Sequence, residues 1–138
     1  MIVCISGYFD PIHVGHLEYI KKAKEYAGKD GELVVIVNND SQATLKKGKP
    51  FMKCEERCEI LSAIRYVDKV VASIDMDRTV CKTLASLEPK PHVFANGGDQ
   101  YNTIIPEKTV CEKYGIELLD GLGDKIQSSS WLIQGAKQ

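Results

Sequence analysis

Ile2-Val3-Cys4-Ile5-Ser6-Gly7-Tyr8-Phe9-Asp10-Pro11-Ile12-His13-Val14-Gly15-His16 decides the fold of this chain. Ile2 to Ile5 read as a short buried strand. Beyond His16, the residues Leu17, Ile20, Ala23, Lys24 and Ala27 fall at helical spacing. The stretch between them is therefore a strand-to-helix turn. Such turns lie at the carboxyl end of a strand, where open α/β sheets bind ligands. Two histidines with a glycine between them, at a helix start, suit a phosphate: imidazoles donate hydrogen bonds near neutral pH, Gly15 lets the backbone approach closely, and the helix terminus offers N–H groups and a favourable dipole.

Working outward, strand-like and helix-like runs alternate. Leu33 to Val37 is a continuous apolar strand suited to burial on both faces of a parallel sheet. A helix is predicted over 54–65, a strand over 69–72, and a helix over 79–87 stopped by Glu88-Pro89. A strand over 92–95 follows, then a helix over 106–114 with Pro106 near its first turn and Gly115 after its end, and a strand over 116–119. A last helix starts in Ser128-Ser129-Ser130 and carries Trp131, Leu132 and Ile133. This order predicts a Rossmann-like, doubly wound, parallel five-stranded α/β sheet in a single domain spanning 1–138.

Composition bounds the function. At 138 residues, the chain can bury a sizeable core. With 43% hydrophobic and 27% charged residues and a net charge of −1, nothing directs it to nucleic acid or a membrane surface. No apolar run approaches the ~20 residues of a membrane span. Met1 runs at once into the first strand, so a cytoplasmic protein without a signal peptide is expected. Five cysteines form no CxxC pair. Cys54 and Cys58 share a helix face but have no second ligand pair for zinc, so reduced, mostly buried thiols are expected.

The loops after the strands gather on one edge of such a sheet, and most of the chemistry-bearing residues fall in those loops or at the helix starts that follow them. Lys46-Lys47-Gly48-Lys49-Pro50 reads as a mobile basic loop that could close over a polyphosphate, with Lys46 its foremost candidate. Glu55-Glu56-Arg57 and Arg65-Tyr66-Val67-Asp68 open and close one predicted helix. Arg65 either pairs with the helix dipole or forks a phosphate. Gly97-Gly98-Asp99 is a turn with free backbone donors and a carboxylate for Mg²⁺ or a hydroxyl, and is also the composition of an ordinary tight turn. Ser128, Ser129 and Ser130 offer more hydroxyls than one N-cap needs.

Taken together, these residues resemble the cytidylyltransferase-like branch of the nucleotidyltransferases. Gly7 to His16 fits the pattern G-x-F-D-x-x-H-x-G-H, and Lys46 fits the family's loop lysine. Glu55-Glu56-Arg57, Arg65-Tyr66-Val67-Asp68, Gly98-Asp99 and Ser128 to Ser130 fit its later elements in order. The resemblance implies an EC 2.7.7-type enzyme in which a phosphorylated acceptor attacks the α-phosphorus of a nucleoside triphosphate and pyrophosphate leaves. It makes His13, His16, Lys46 and Arg65 the catalytic candidates. Gly7, Tyr8, Phe9, Gly15, Gly98, Asp99, Ser128, Ser129 and Ser130 become the nucleotide-binding candidates. Asp10 and Lys125 are acceptor-binding candidates, and Asp99 is the candidate ligand for Mg²⁺. It also implies a homodimer with Arg65 near the phosphates or the interface.

The chain departs from the glycerol-phosphate cytidylyltransferases at two places. Their R-T-E-G is replaced by Leu122-Gly123-Asp124-Lys125-Ile126-Gln127, leaving Lys125 where an arginine would fork. Their G-D-D is replaced by Gly97-Gly98-Asp99-Gln100, closer to heptose-phosphate and FMN adenylyltransferases. CMP transfer from CTP is the expected reaction, with adenylyl transfer from ATP to a sugar phosphate or FMN as the alternative. A nucleotide-binding regulator without turnover is the alternative of another class.

Overall fold

The computed structural model describes residues 1–95 and 106–119. The elements run β1 (Ile2–Gly7), α1 (Val14–Ala27), β2 (Glu32–Val37), α2 (Asp40–Lys47), α3 (Cys54–Ser62), β3 (Lys69–Ala72), α4 (Cys81–Ser86), β4 (Val93–Ala95), α5 (Glu107–Tyr114) and β5 (Glu117–Leu119). All five strands are parallel, in the order β3-β2-β1-β4-β5. This is the Rossmann-like α/β architecture expected from the sequence.

Strand periodicity sorts the core into two layers. Val3 and Ile5, Leu33, Val35 and Val37, and Val93 and Ala95 face one side, where they pack with Ile20 and Ala23 of α1 and Leu61 of α3. Cys4, Val34, Ile36 and Phe94 face the other, against Val80, Leu84, Leu87, Cys111 and Ile116 around α4 and α5. Because both faces are covered, β1 and β2 can be apolar at every central position. The winding reverses between β1 and β4, so the crevice beyond their carboxyl ends is the topological switch point. Tyr19 of α1 reaches across it and donates from its hydroxyl to the Ala95 carbonyl at 2.9 Å.

Two sequence expectations are corrected. The crossover from β2 to β3 contains a helix, α2, whose last turn takes in the first two residues of the expected basic loop. Lys46 and Lys47 form its last turn, and Gly48 closes it in the left-handed conformation, φ 85°. The periodicity gave no warning because the buried face of α2 is built on Gln42 and Ala43 rather than on large apolar residues. The visible signal was Asn39-x-x-Gln42, a capping box. The Asn39 side chain accepts from the Gln42 amide at 2.9 Å, and Gln42 Oε1 accepts from the Asn39 amide at 2.9 Å. In addition, α3 stops at Ser62, three residues before the predicted end. Smaller differences affect α4, three residues shorter than predicted, and β4 and β5, each one residue shorter.

The expected last helix lies outside the described residues. Among the described residues, no helix is long and apolar enough to cross a membrane. The cysteines are free thiols, with Cys4 and Cys111 buried and Cys54, Cys58 and Cys81 half-buried.

Candidate active site

The two histidines of the first loop cap the helix they precede. His13 is the N-cap of α1, in extended backbone, and its Nδ1 accepts from the Gly15 amide at 3.1 Å. His16 Nδ1 accepts from the His13 amide at 3.2 Å. Each bond fixes a tautomer, since a ring nitrogen that accepts carries no proton. The neutral rings therefore both carry their proton on Nε2, the atom left for a ligand. The imidazoles stack with centroids 3.9 Å apart and planes 25° from parallel. Burial and the neighbouring His13 push His16 down to a pKa of about 4. Near neutral pH, His16 is an uncharged Nε2–H donor at the positive end of a 14-residue helix.

Side chains fold back closely over the glycines of this loop. A Cβ on Gly15 would stand 3.0 Å from His13 Cε1, and one on Gly7 would stand 3.0 Å from the Phe9 ring. Phe9 is 1% exposed, sits at φ 51°, and meets His16 edge-on with centroids 5.0 Å apart. The histidine pair is thus wedged between a buried aromatic ring and the start of α1.

The loops around this turn are tied together by a residue the sequence reading passed over as part of an E-x-R element. Arg57 of α3 is completely buried. Its Nε donates to the Met52 carbonyl at 2.9 Å and its Nη1 to the Tyr8 and Asn38 carbonyls at 2.6 and 2.8 Å. Its Nη2 meets Asp40 Oδ1 at 2.9 Å. One guanidinium therefore fastens the loop after β1, the loop after β2, the start of α2 and the segment before α3. A planar fork of five donors can satisfy such a set where a lysine could not. The signal available was an arginine in the first turn of a helix rich in acidic residues, but sequence gives no burial for it.

Asp10, nominated to bind the acceptor, is itself nearly buried at 8% exposure. Its two oxygens accept from the Phe51 and Met52 amides at 2.8 and 2.6 Å. It pins the 51–52 segment against the first loop. Lys46 reaches the same loop from α2, with Nζ 4.4 Å above the centre of the Tyr8 ring. Gly7, Tyr8, Phe9, Asp10, His13, Gly15, His16 and Lys46 are therefore gathered on the carboxyl edge of the sheet.

Arg65 is not. It follows α3 on the way into β3, at the amino edge, where Asp68 accepts from the Leu33 amide. Arg65 is exposed and stacks loosely on Tyr66, 5.9 Å from ring centre. Gly98, Asp99, Lys125, Ser128, Ser129 and Ser130 lie outside the described residues. Among the described residues no group of three or more His, Cys, Asp or Glu side chains could hold a metal ion. The Cys54 and Cys58 sulfurs, 3.9 Å apart, gain no third ligand there.

Against known proteins, residues 4–130 match the family model described as Cytidylyltransferase-like. The chain is 40% identical over 95 residues to the FAD synthase of Methanothermus fervidus, covering 69% of this chain and 63% of that protein. It thus spans less than two thirds of that relative's length. It is 34% identical over 134 residues to the bifunctional protein HldE of Pelobacter propionicus, covering 95% of this chain and 24% of that one. The crystal structure of the lipopolysaccharide core biosynthesis protein of Thermoplasma volcanium has a TM-score of 0.69 and 30% identity, covering 88% of this chain and 93% of that one.

Proposed function

The chain belongs to the cytidylyltransferase-like family, and from that premise we propose that it is a nucleotidyltransferase that moves AMP from ATP onto a small phosphorylated acceptor, FMN first among them. The observation that carries the reading is the histidine pair: two Nε2–H donors, their tautomers set by reciprocal caps, at the amino end of α1 beside the switch point.

In the reaction, an oxygen of the acceptor phosphate attacks the α-phosphorus. The bond from that phosphorus to the bridging oxygen breaks, and pyrophosphate leaves with the electron pair. His13 and His16 donate to non-bridging oxygens, whose negative charge they stabilise without giving up a proton. Lys46 supplies the full positive charge that the neutral imidazoles lack. No covalent enzyme intermediate is needed, and the acceleration comes from positioning and fixed donors. Mg²⁺ belongs to the same proposal on the strength of the resemblance.

The base favoured from sequence, cytosine, gives way to adenine. FAD is FMN joined to AMP through a pyrophosphate link, so the likeness to a 40%-identical FAD synthase supports adenylyl transfer, as does the sequence Gly97-Gly98-Asp99-Gln100. A sugar-phosphate acceptor is the second reading, supported by the likeness to HldE over 95% of the chain. A homodimer is also part of the proposal, and the exposed position of Arg65 on the amino edge suits contact with a second copy.

The test is the purified chain with Mg²⁺, each of ATP and CTP, and an acceptor panel of FMN, heptose phosphates and glycerol phosphate, followed by pyrophosphate release and product chromatography. FAD from ATP and FMN, lost in EDTA, is the expected result. Turnover with CTP alone would restore cytidylyl transfer. Tight nucleotide binding without pyrophosphate from any pair would make the chain a binding regulator.

A further inference from the structure

Tyr8 fills the variable position of Gly7-Tyr8-Phe9-Asp10, and three observations single it out. Its carbonyl receives Arg57 Nη1 at 2.6 Å, so its backbone is held by a completely buried cation. Its ring carries the Lys46 ammonium at 4.4 Å from the centroid. Its phenolic oxygen is buried and has no hydrogen-bond partner among the described residues.

Lys46 is exposed on the last turn of α2, and a four-carbon stem in that position samples many rotamers. A lysine meant for a triphosphate must be held near the site before the ligand arrives, or its ordering opposes binding. A carboxylate could hold it but would neutralise the charge and compete with the phosphates. An aromatic face attracts the ammonium through the ring quadrupole while leaving both its charge and its N–H groups to an incoming anion.

We infer that Tyr8 is a positioning residue: its ring seats Lys46 beside the first loop and yields the ammonium to the polyphosphate of the nucleotide. The inference rests on the proposed function for the identity of the anion. The seat itself stands on the geometry of the free chain. Because the seat uses the ring and not the hydroxyl, Phe at this position retains everything the seat uses, whereas Leu retains bulk but no quadrupole.

The experiment is side-chain NMR of the full chain with ¹³C-labelled lysine, Lys46 being assigned from the signal missing in Lys46→Arg. Ring current places the Lys46 Cε protons upfield of the other lysines in the wild type and in Tyr8→Phe, and at the common position in Tyr8→Leu. Inorganic tripolyphosphate moves them back to the common position in the wild type. In turnover, Tyr8→Leu raises KM for the nucleotide about two- to fivefold, the size of an exposed cation–π contact, and Tyr8→Phe restores it. An unshifted Lys46 in the wild type, equal loss in Phe and Leu, or a ring shift that tripolyphosphate leaves untouched would each overturn the seat. Should no triphosphate yield pyrophosphate while Lys46 still leaves the ring for tripolyphosphate, the proposed function falls and the seat stands.

Discussion

Arg57 and Arg65 stand eight positions apart in the sequence and at opposite edges of the sheet. Arg57 opens α3, is completely buried, and spends its donors on three carbonyls and one carboxylate. Arg65 follows the end of α3, is exposed, and touches one aromatic ring. The lesson is that an arginine's charge does not announce its task. A buried arginine is permitted only where its whole donor set is met, and at Arg57 that requirement is what brings the loops of the site together. A solvated arginine owes nothing to the fold.

Removing Arg57 is the most severe way to test this contrast. Arg57→Ala leaves the Tyr8, Asn38 and Met52 carbonyls without their donor and Asp40 without its partner. A loss of about 3–5 kcal/mol is expected, measured by urea denaturation. Arg57→Lys keeps the charge but not the fork, and recovers only part of it. If Arg57→Ala cost under 1 kcal/mol, the guanidinium would not be what fastens these loops.

His16→Ala tests the chemical side of the same edge. Pyrophosphate release should fall about 10²–10³-fold, the usual worth of one preorganised donor to developing charge, while stability drops by only ~1 kcal/mol from the lost cap. A variant that loses stability and activity in proportion would make His16 a capping residue alone.

The lowered pKa of His16 gives a smaller effect with a fixed sign. Its folded value, about 4, lies below the unfolded value of 6.5, so the unfolded chain binds the proton more readily between these limits. The contribution of His16 is therefore complete above pH 6.5 and is lost as pH falls toward 4. The slope should be well under the ~1.4 kcal/mol per pH unit of one fully transferred proton, because the ring is only half-buried. Comparing stability against pH for the wild type and His16→Gln reads this slope directly, and equal slopes would refute the assignment. A bound triphosphate should raise the His16 pKa, since an anion favours the imidazolium.

What was legible in the sequence follows the strength of each physical constraint. The strands were legible because β1 and β2 are buried on both faces and so are apolar without interruption. The strand-to-helix turn was legible because an apolar strand gives way to helical spacing across Gly7 to His16, and both histidines stand at the start of α1. Helix α2 was not legible, because its inner face is closed by the amide of Gln42 bonded to the Asp77 and Thr79 carbonyls at 2.6 and 2.7 Å, and periodicity detects only apolar faces. Nor were the bonds of Asp10 to the Phe51 and Met52 amides, which join segments far apart in the sequence. Arg65 was drawn toward the site by the family resemblance, although a residue between a crossover helix and the next parallel strand lies on the amino edge. The strand order, and with it the switch point between β1 and β4, depends on long-range pairing that no local pattern encodes.

Arg65→Ala is the mildest test of the comparison and separates its two halves most cleanly. The side chain is solvated, so its removal should leave the urea midpoint within the ±0.5 kcal/mol expected of an exposed site. Asp68 beside it is different in kind. Burial alone would raise its carboxyl, but the Lys24 bond and the Leu33 amide outweigh that and hold it below the ordinary range, so the local fold is kept by Asp68 whether or not Arg65 is present. Within one chain the guanidinium lies on the amino edge and the histidines on the carboxyl edge, so the dissociation constant for ATP, measured by calorimetry, should change less than twofold in the monomer. Sedimentation supplies the other half: an Arg65→Glu chain that turns monomeric where the wild type is dimeric would assign the residue to the subunit contact. A tenfold loss of ATP affinity without a change of oligomeric state would instead bring Arg65 back to the phosphates and break the contrast between the two arginines.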